Sequence, residues 1–300
     1  MKRKTLTDYK QRMERVLNHI GSHLDDTLSL DELAAQACFS PYHFHRVFTG
    51  MIGETVKDYV RRLRLERAAQ CLQQKNSTVT MVAFDAGYDS PEAFARAFNT
   101  VFGCSPSQYR SEVRSIHSSL SGVHFSDGTI RHFRSHRRNK AMLVSIKHLA
   151  AQRVAFVSHL GPYENVGQAW SILCTGLGRH GYLGGDTALF GICYDDPAVT
   201  PPDKIRYDAC ATISADFIPT AEIGVKWVDG GDFAVTTHKG PYHEVGKVYA
   251  ALYGQWLPRS GREMRNAPAL EFYLNDPNST EPRELLTDIY APLLPQVSLP

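Results

Sequence analysis

HLGPYENVGQAW occupies residues 159–170 and HKGPYHEVGKVY occupies residues 238–249, with six of twelve positions identical. Each copy stands between a β-type run, VAFVSHL or FAVTTHK, and an amphipathic helical run, NVGQAWSILCTGL or EVGKVYAALYGQWL. Val166, Trp170, Leu173 and Leu177 share one helical face, and Val245, Tyr249, Leu252 and Trp256 repeat it. The duplication extends both ways. ALFGICYDDPAVTPPDKIRYDACATI (188–213) parallels ALEFYLNDPNSTEPRELLTDIYAPL (269–293), with Asp208 and Asp288 at equivalent positions. In front, VSIKHLAAQ parallels IGVKWVDGGD, whose DGGD marks a tight turn. The pattern predicts a β-β-α-β-β unit written twice, hence an α+β domain. Two such copies related by a pseudo-twofold would join their sheets and leave a cleft along the axis.

Differences between the copies point to chemistry. Aligned on Asp-Pro, Gly191 of the first copy becomes Glu271 of the second. Strand alternation puts Ala269, Glu271 and Tyr273 on one face and Leu270, Phe272 and Leu274 on the other, which must pack the core. A carboxylate on an apolar strand is costly to bury without a partner. That partner is either an arginine of this chain or a ligand cation. His148 against Trp227 is a second asymmetry, and a Trp beside a carboxylate suits a lipophilic cation through cation–π attraction of about 0.5–2 kcal/mol. Tyr163 and Tyr242 recur in both copies and fit either fold-making or pocket-lining roles. The candidate ligand-binding set is therefore Glu271, Tyr163, Trp227, Tyr242 and Tyr273.

The first half has its own repeat. FSPYHFHRVFTGMIGETVKDY (39–59) aligns without gaps on DSPEAFARAFNTVFGCSPSQY (89–109), in the frame S-P-x-x-F-x-R-x-F. Ser40 and Ser90 are candidate N-caps, and Pro41 and Pro91 suit the first helical position. Phe44, Val47, Phe48 and Met51 form a buried stripe that Phe94, Ala97, Phe98 and Val101 repeat. Each is preceded by a short amphipathic helix, with Ser29 and Glu32 at capping-box spacing, so an all-α domain of two helix-turn-helix units is expected. TVKDYVRRLRLERAAQCLQQ (55–74) reads as one joining helix of roughly 30 Å. That is close to the roughly 34 Å between major-groove faces on one side of B-DNA. The stripe places Tyr42, Arg46 and Thr49 outward with His45 on the flank, and Glu92, Arg96 and Asn99 outward from the second unit. Arginine can donate two bonds to guanine, so the candidate DNA-binding set is Tyr42, His45, Arg46, Thr49, Arg96 and Asn99. The alternative for Arg46 and Arg96 is salt bridging inside the domain, and the acid at Glu92 makes the second helix the weaker reader.

Charge follows the same division. Residues 1–115 carry 16 Lys and Arg against 13 Asp and Glu, residues 116–140 carry 5 against 1, and residues 141–300 carry 12 against 17. A basic first half suits a polyanion. No apolar run spans a bilayer and the N-terminus lacks signal-peptide character, so no membrane partner is expected. Six dispersed cysteines point to reduced thiols and a cytoplasmic location. Residues 113–140 read as a basic linker with a short hairpin about Asp127–Gly128. His132 and His136 lack a third ligand, so no metal and no cofactor is expected.

LSLDELAAQACFSPYHFHRVF, RLERAA and VAFDAGYDSPEAFARAFNTVFGCSPSQYR resemble the DNA-binding domain of the AraC/XylS family of transcription regulators. That resemblance implies base contacts from Tyr42, His45, Arg46 and Arg96. HLGPY, FGICYDDP, KIRYDACATI, HKGPY, LEFYLNDP and LLTDIYAPL resemble the GyrI-like small-molecule-binding domain, also found as the effector domain of multidrug-sensing regulators. Glu271 matches its pocket acid, with Tyr163, Trp227 and Tyr242 as candidate walls. The domain order is similar to that of Rob-type regulators. The expected organisation is a DNA-binding domain over 1–112, the linker over 113–140 and an effector domain over 141–300. The expected partners are a double-stranded promoter site and a hydrophobic, cationic small-molecule effector, with RNA polymerase a further candidate. An enzyme is not expected. The competing readings are a hydrolase of strained electrophiles with a Glu general base, and a module that sequesters toxins or protein partners.

Overall fold

The computed structural model describes residues 2–74, 77–111, 125–126, 129–130 and 142–296. The chain divides into two compact units, Thr7–Arg137 and Arg138–Pro300 with Met1–Leu6.

The first unit is helical: α1 (Lys2–Ser22), α2 (Leu30–Gln36), α3 (Pro41–Ile52), α4 (Val56–Leu72), α5 (Val79–Asp85), α6 (Pro91–Phe102) and α7 (Pro106–Ser111). Side-chain caps set most of these starts. Ser29 and Glu32 form the expected capping box on α2, and Thr55, Thr78 and Ser90 accept from the third backbone N–H of α4, α5 and α6. Ser40 does not cap α3. Its hydroxyl is buried with no hydrogen-bond partner among the described residues, and Pro41 with its fixed φ opens the helix instead. Gly53 and Gly103 end α3 and α6 at φ +91° and +71°, a region that only glycine enters cheaply. The joining helix α4 has 17 residues, about 26 Å, because its last turn closes at Gln73. Arg62 of α4 is buried between Glu54 (2.7 Å) and Glu66 (2.9 Å). Arg64 donates to the Leu24 carbonyl (2.8 Å) and Arg67 pairs with Asp25, tying α4 to the α1–α2 connection. Phe94 and Phe98 of α6 meet Leu65, Ala69 and Tyr109 in the core of the second helix-turn-helix.

Two short strands, β1 (Phe125–Ser126) and β2 (Thr129–Ile130), pair antiparallel. Tyr42's side chain, Asp127, Gly128, His132 and His136 lie outside the described residues.

The second unit contains β3 (Ser145–Leu149), β4 (Gln152–Leu160), α8 (Gly167–Arg179), β5 (Leu189–Cys193) and β6 (Arg206–Thr212), then β7 (Gly224–Val228), β8 (Gly231–Lys239), α9 (Val245–Ala251), β9 (Ala269–Tyr273) and β10 (Leu286–Leu293). Helix α9 continues through a π-type stretch, Leu252–Trp256, into α10 (Leu257–Ser260). Pro258, which cannot donate to the carbonyl four residues back, gives the helix a reason to widen there.

One antiparallel sheet holds eight strands in the order β3-β8-β10-β9-β5-β6-β4-β7. The expected unit is present twice, but its first two strands do not pair with each other. β3 of the first copy pairs with β8 of the second, and β7 of the second pairs with β4 of the first. Two intervening residues bridge no more than about 10 Å. The ends of the strand order must therefore approach each other, and the sheet curls toward closure. Gly230 marks where the two connections cross, since a Cβ there would lie 2.5 Å from the Leu149 carbonyl oxygen. Val154, Phe190, Phe233, Leu270 and Tyr290 pack the concave face, while Ala155, Tyr207 and Ala209 pack the other against Leu173 and Leu177 of α8.

The exchange explains the repeated aspartates. Asp208 of β6 pairs with Lys226 of β7, and Asp288 of β10 with Lys147 of β3 (3.4 Å), each bond joining one copy to the other. Burial pushes the Asp208 carboxyl up, but donation from Lys226, Ser158 and Tyr194 outweighs it and holds the group below its ordinary range.

The quoted motif is a turn device. Gly161 and Gly240 adopt φ +139° and +134°, and their N–H groups donate to the Ile205 and Leu285 carbonyls at 2.9 Å. The Nε2 atoms of His159 and His238 donate to the carbonyls of Pro162 and Pro241, both at 3.1 Å. Each Tyr then opens a short 3₁₀ turn into the helix.

Candidate functional site

The two copies meet at the β5–β9 ladder, where Gly191 and Glu271 are directly paired. On the concave face of this seam, Phe190 stacks on Phe272 at 4.7 Å. Glu271 and Tyr273 project from the opposite face, toward α8 and α9, as period-two alternation requires. Leu270 packs in the core with Phe272 beside it, but Leu274, expected there too, is exposed because it lies beyond the end of β9.

Glu271 is half-buried and receives two phenols. Tyr249 of α9 donates to Oε1 at 2.8 Å, and Tyr273 donates to Oε2 at 3.2 Å. Tyr273 Oη is 3.0 Å from Tyr207 Oη, which accepts from the Trp170 indole N–H at 3.0 Å. Among the described residues no cationic side chain pairs with Glu271. Burial drives the phenols of Tyr207 and Tyr273 well above their ordinary range, with the Glu271 charge adding to both. They therefore stay protonated, and stay hydrogen-bond donors, throughout the neutral range.

Aromatic rings frame the carboxylate. Trp170 meets Tyr273 edge-on at 5.6 Å, Tyr242 meets Tyr273 edge-on at 5.6 Å, and Tyr163 meets Tyr207 edge-on at 5.9 Å. Burial, then Glu271 and Asp276, raise the Tyr242 phenol. Tyr163 has a fold-making role as well, since its hydroxyl donates to the Asp195 carbonyl at 2.8 Å.

Four of the five expected ligand residues thus gather at the seam, and Trp227 does not. It lies on edge strand β7, four strand spacings or roughly 19 Å of sheet from β9, and is 67% exposed. The error lies in the pairing: strand exchange sends β7 to the far edge of the first copy. Sequence reading missed Tyr207, Trp170 and Tyr249. The signal for Tyr207 was a compensating size swap, Gly191 with Tyr207 in one copy against Glu271 with Thr287 in the other.

The two helix-turn-helix units differ from each other. On α6, Phe94 and Phe98 are buried while Glu92, Arg96 and Asn99 are exposed, a two-faced helix. On α3, His45 is 1% and Arg46 5% exposed in the full chain, and Thr49 is half-buried with Oγ1 3.4 Å from His45 Nε2.

Residues 142–294, about half of the chain, match the GyrI-like small molecule binding domain, and residues 33–112 match a helix-turn-helix domain. The chain belongs to the GyrI-like family. Residues 33–112 form a helix-turn-helix domain of the AraC type. The chain is 38% identical to the probable transcriptional regulator YgiV of Escherichia coli K12, over 35% of this chain and 66% of that protein. It is 36% identical to the transcriptional activator AarP of Providencia stuartii, over 33% of this chain and 73% of that protein. With the E. coli right origin-binding protein, identity is 35% over 30% of this chain and 32% of that one. The chain thus spans just under two thirds of the length of the first of these relatives. Among solved structures it is similar to the EcmrR C-terminal domain, at 16% identity over 52% of this chain and 99% of that one, TM-score 0.43. No helix among the described residues is long and apolar enough to cross a membrane.

Proposed function

We propose that this protein is a one-component regulator whose GyrI-like domain binds a hydrophobic, cationic small molecule at Glu271 and whose AraC-type domain reads a promoter site. The observation that carries the ligand reading is a half-buried carboxylate held by two phenol donors, with no cationic side chain beside it among the described residues and aromatic rings around it. Phenol donors stabilise the charge without neutralising it, so the site keeps a net negative charge. Ring faces and carboxylate then attract the same guest, a lipophilic cation. For DNA, the exposed polar face of α6 supports Arg96 and Asn99 as contacts. Both relatives with regulator names, and the attachment to a helix-turn-helix domain, favour binding over catalysis. RNA polymerase is the partner such a regulator would act on.

Native mass spectrometry of the full chain and Glu271→Gln, against lipophilic cations, anions and strained electrophiles, tests this. Cation adducts that the variant loses are the expected result. Water-added products that vanish in the variant would instead make the domain a hydrolase.

A further inference from the structure

The strand register fixes where the pseudo-twofold axis runs. Gly191 and Glu271 are equivalent positions of the two copies, and they are also direct partners in the β5–β9 ladder, so the axis passes between them. A symmetric molecule would set two carboxylates opposite each other there, and directly opposed like charges repel. This chain has glycine on one side. The space above it holds the Tyr207 ring: a Cβ on Gly191 would lie 2.3 Å from Tyr207 Oη and 2.5 Å from the nearest ring carbon. In the second copy the position equivalent to Tyr207 is the much smaller Thr287.

The Tyr207 hydroxyl is also committed. An indole N–H only donates, so Tyr207 accepts from Trp170. An ionised Glu271 only accepts, so Tyr273 donates to it and in turn accepts from Tyr207. The proton order along Trp170, Tyr207, Tyr273 and Glu271 therefore has a single direction.

We propose that Gly191 and Tyr207 set the charge specificity of the site, making it a single-carboxylate site for monocations. Tyr207 fills the half that a twin acid would occupy and anchors the hydrogen-bond run that ends on Glu271. The inference rests on Glu271 being a cation site, and it adds which cations that site accepts.

The test uses two isosteric probes on a para-xylylene scaffold. One carries a trimethylammonium and a neutral neopentyl-type arm, and the other carries two trimethylammonium arms. Calorimetric titration of the full chain should show the wild type preferring the monocation by about tenfold or more, since the second charge finds no partner. The symmetrising variant Gly191→Glu/Tyr207→Thr should reverse that preference. Tyr207→Phe, which keeps the ring and removes the hydroxyl, should weaken monocation binding roughly three- to tenfold in a protein that still unfolds cooperatively. A wild type that binds both probes alike overturns the proposal, as does a folded double variant that keeps the wild-type preference. If the double variant does not fold, Tyr207→Phe decides, and wild-type affinity in it overturns the proposal. A wild type that binds neither probe, nor the larger tetraphenylphosphonium, overturns the reading of Glu271 itself, and this inference falls with it.

Discussion

At Glu271 two phenols donate to one carboxylate. Replacing it by glutamine keeps the shape and removes the charge. Affinity for a lipophilic cation should then fall about 10–100-fold, from the roughly 1.5–3 kcal/mol of a charge-assisted contact, with anion affinity not reduced. Titrations of both proteins check this. At Gly191 the expected effect is on stability. Gly191→Ala puts a methyl where the Tyr207 hydroxyl sits, and the shift this forces should cost about 1–3 kcal/mol, visible as a lower midpoint in urea. Glu271 and Tyr273 were legible in the sequence because a strand alternates with period two and a duplicated chain supplies its own comparison. Tyr207 was not, because its role depends on a ring crossing from β6 to lie over β5, and no local pattern encodes that neighbour. Trp227 was misplaced for the same reason, since its position depends on which strand β7 pairs with.

At the scale of elements, the eight strands of the second unit and the helix-turn-helix pairs of the first were legible from caps, periodicity and repeats. The exchange of β3 and β7 between copies was not, because a two-residue connection reads as a hairpin wherever its strands go. The cross-copy ion pairs make the exchange testable. Lys226→Met strands the buried Asp208 and should cost about 2–3 kcal/mol, below the range for fully buried pairs because Lys226 is partly exposed. Asp208 also has a pH signature. Its folded pKa lies below its unfolded value, so it adds stability above the ordinary carboxylate range, near 3.9, and loses that stability as pH falls through the lower folded value. Asp208→Asn should therefore flatten the acid limb of a stability-versus-pH curve, measured by urea unfolding at stepped pH. Arg96→Ala, at an exposed position of α6, should weaken specific DNA binding by roughly 1–3 kcal/mol while leaving the unfolding midpoint unchanged. Anisotropy titrations beside thermal melts check both.

At the scale of the whole molecule, duplication builds a nearly symmetric scaffold and a few residues on its axis break that symmetry. The shared residues make turns, ion pairs and core, and the unshared ones, Gly191, Tyr207, Glu271 and Thr287, gather where the copies meet. A one-charge site among aromatic rings is what that break leaves. The most direct test is calorimetric titration of the full chain with two ions of the same size and shape and opposite sign, tetraphenylphosphonium and tetraphenylborate, repeated on Glu271→Gln. Saturable binding of the phosphonium alone, lost or weakened at least about tenfold in the variant, is the predicted result. Equal binding of both ions, or phosphonium binding that ignores the substitution, would contradict charge recognition at Glu271.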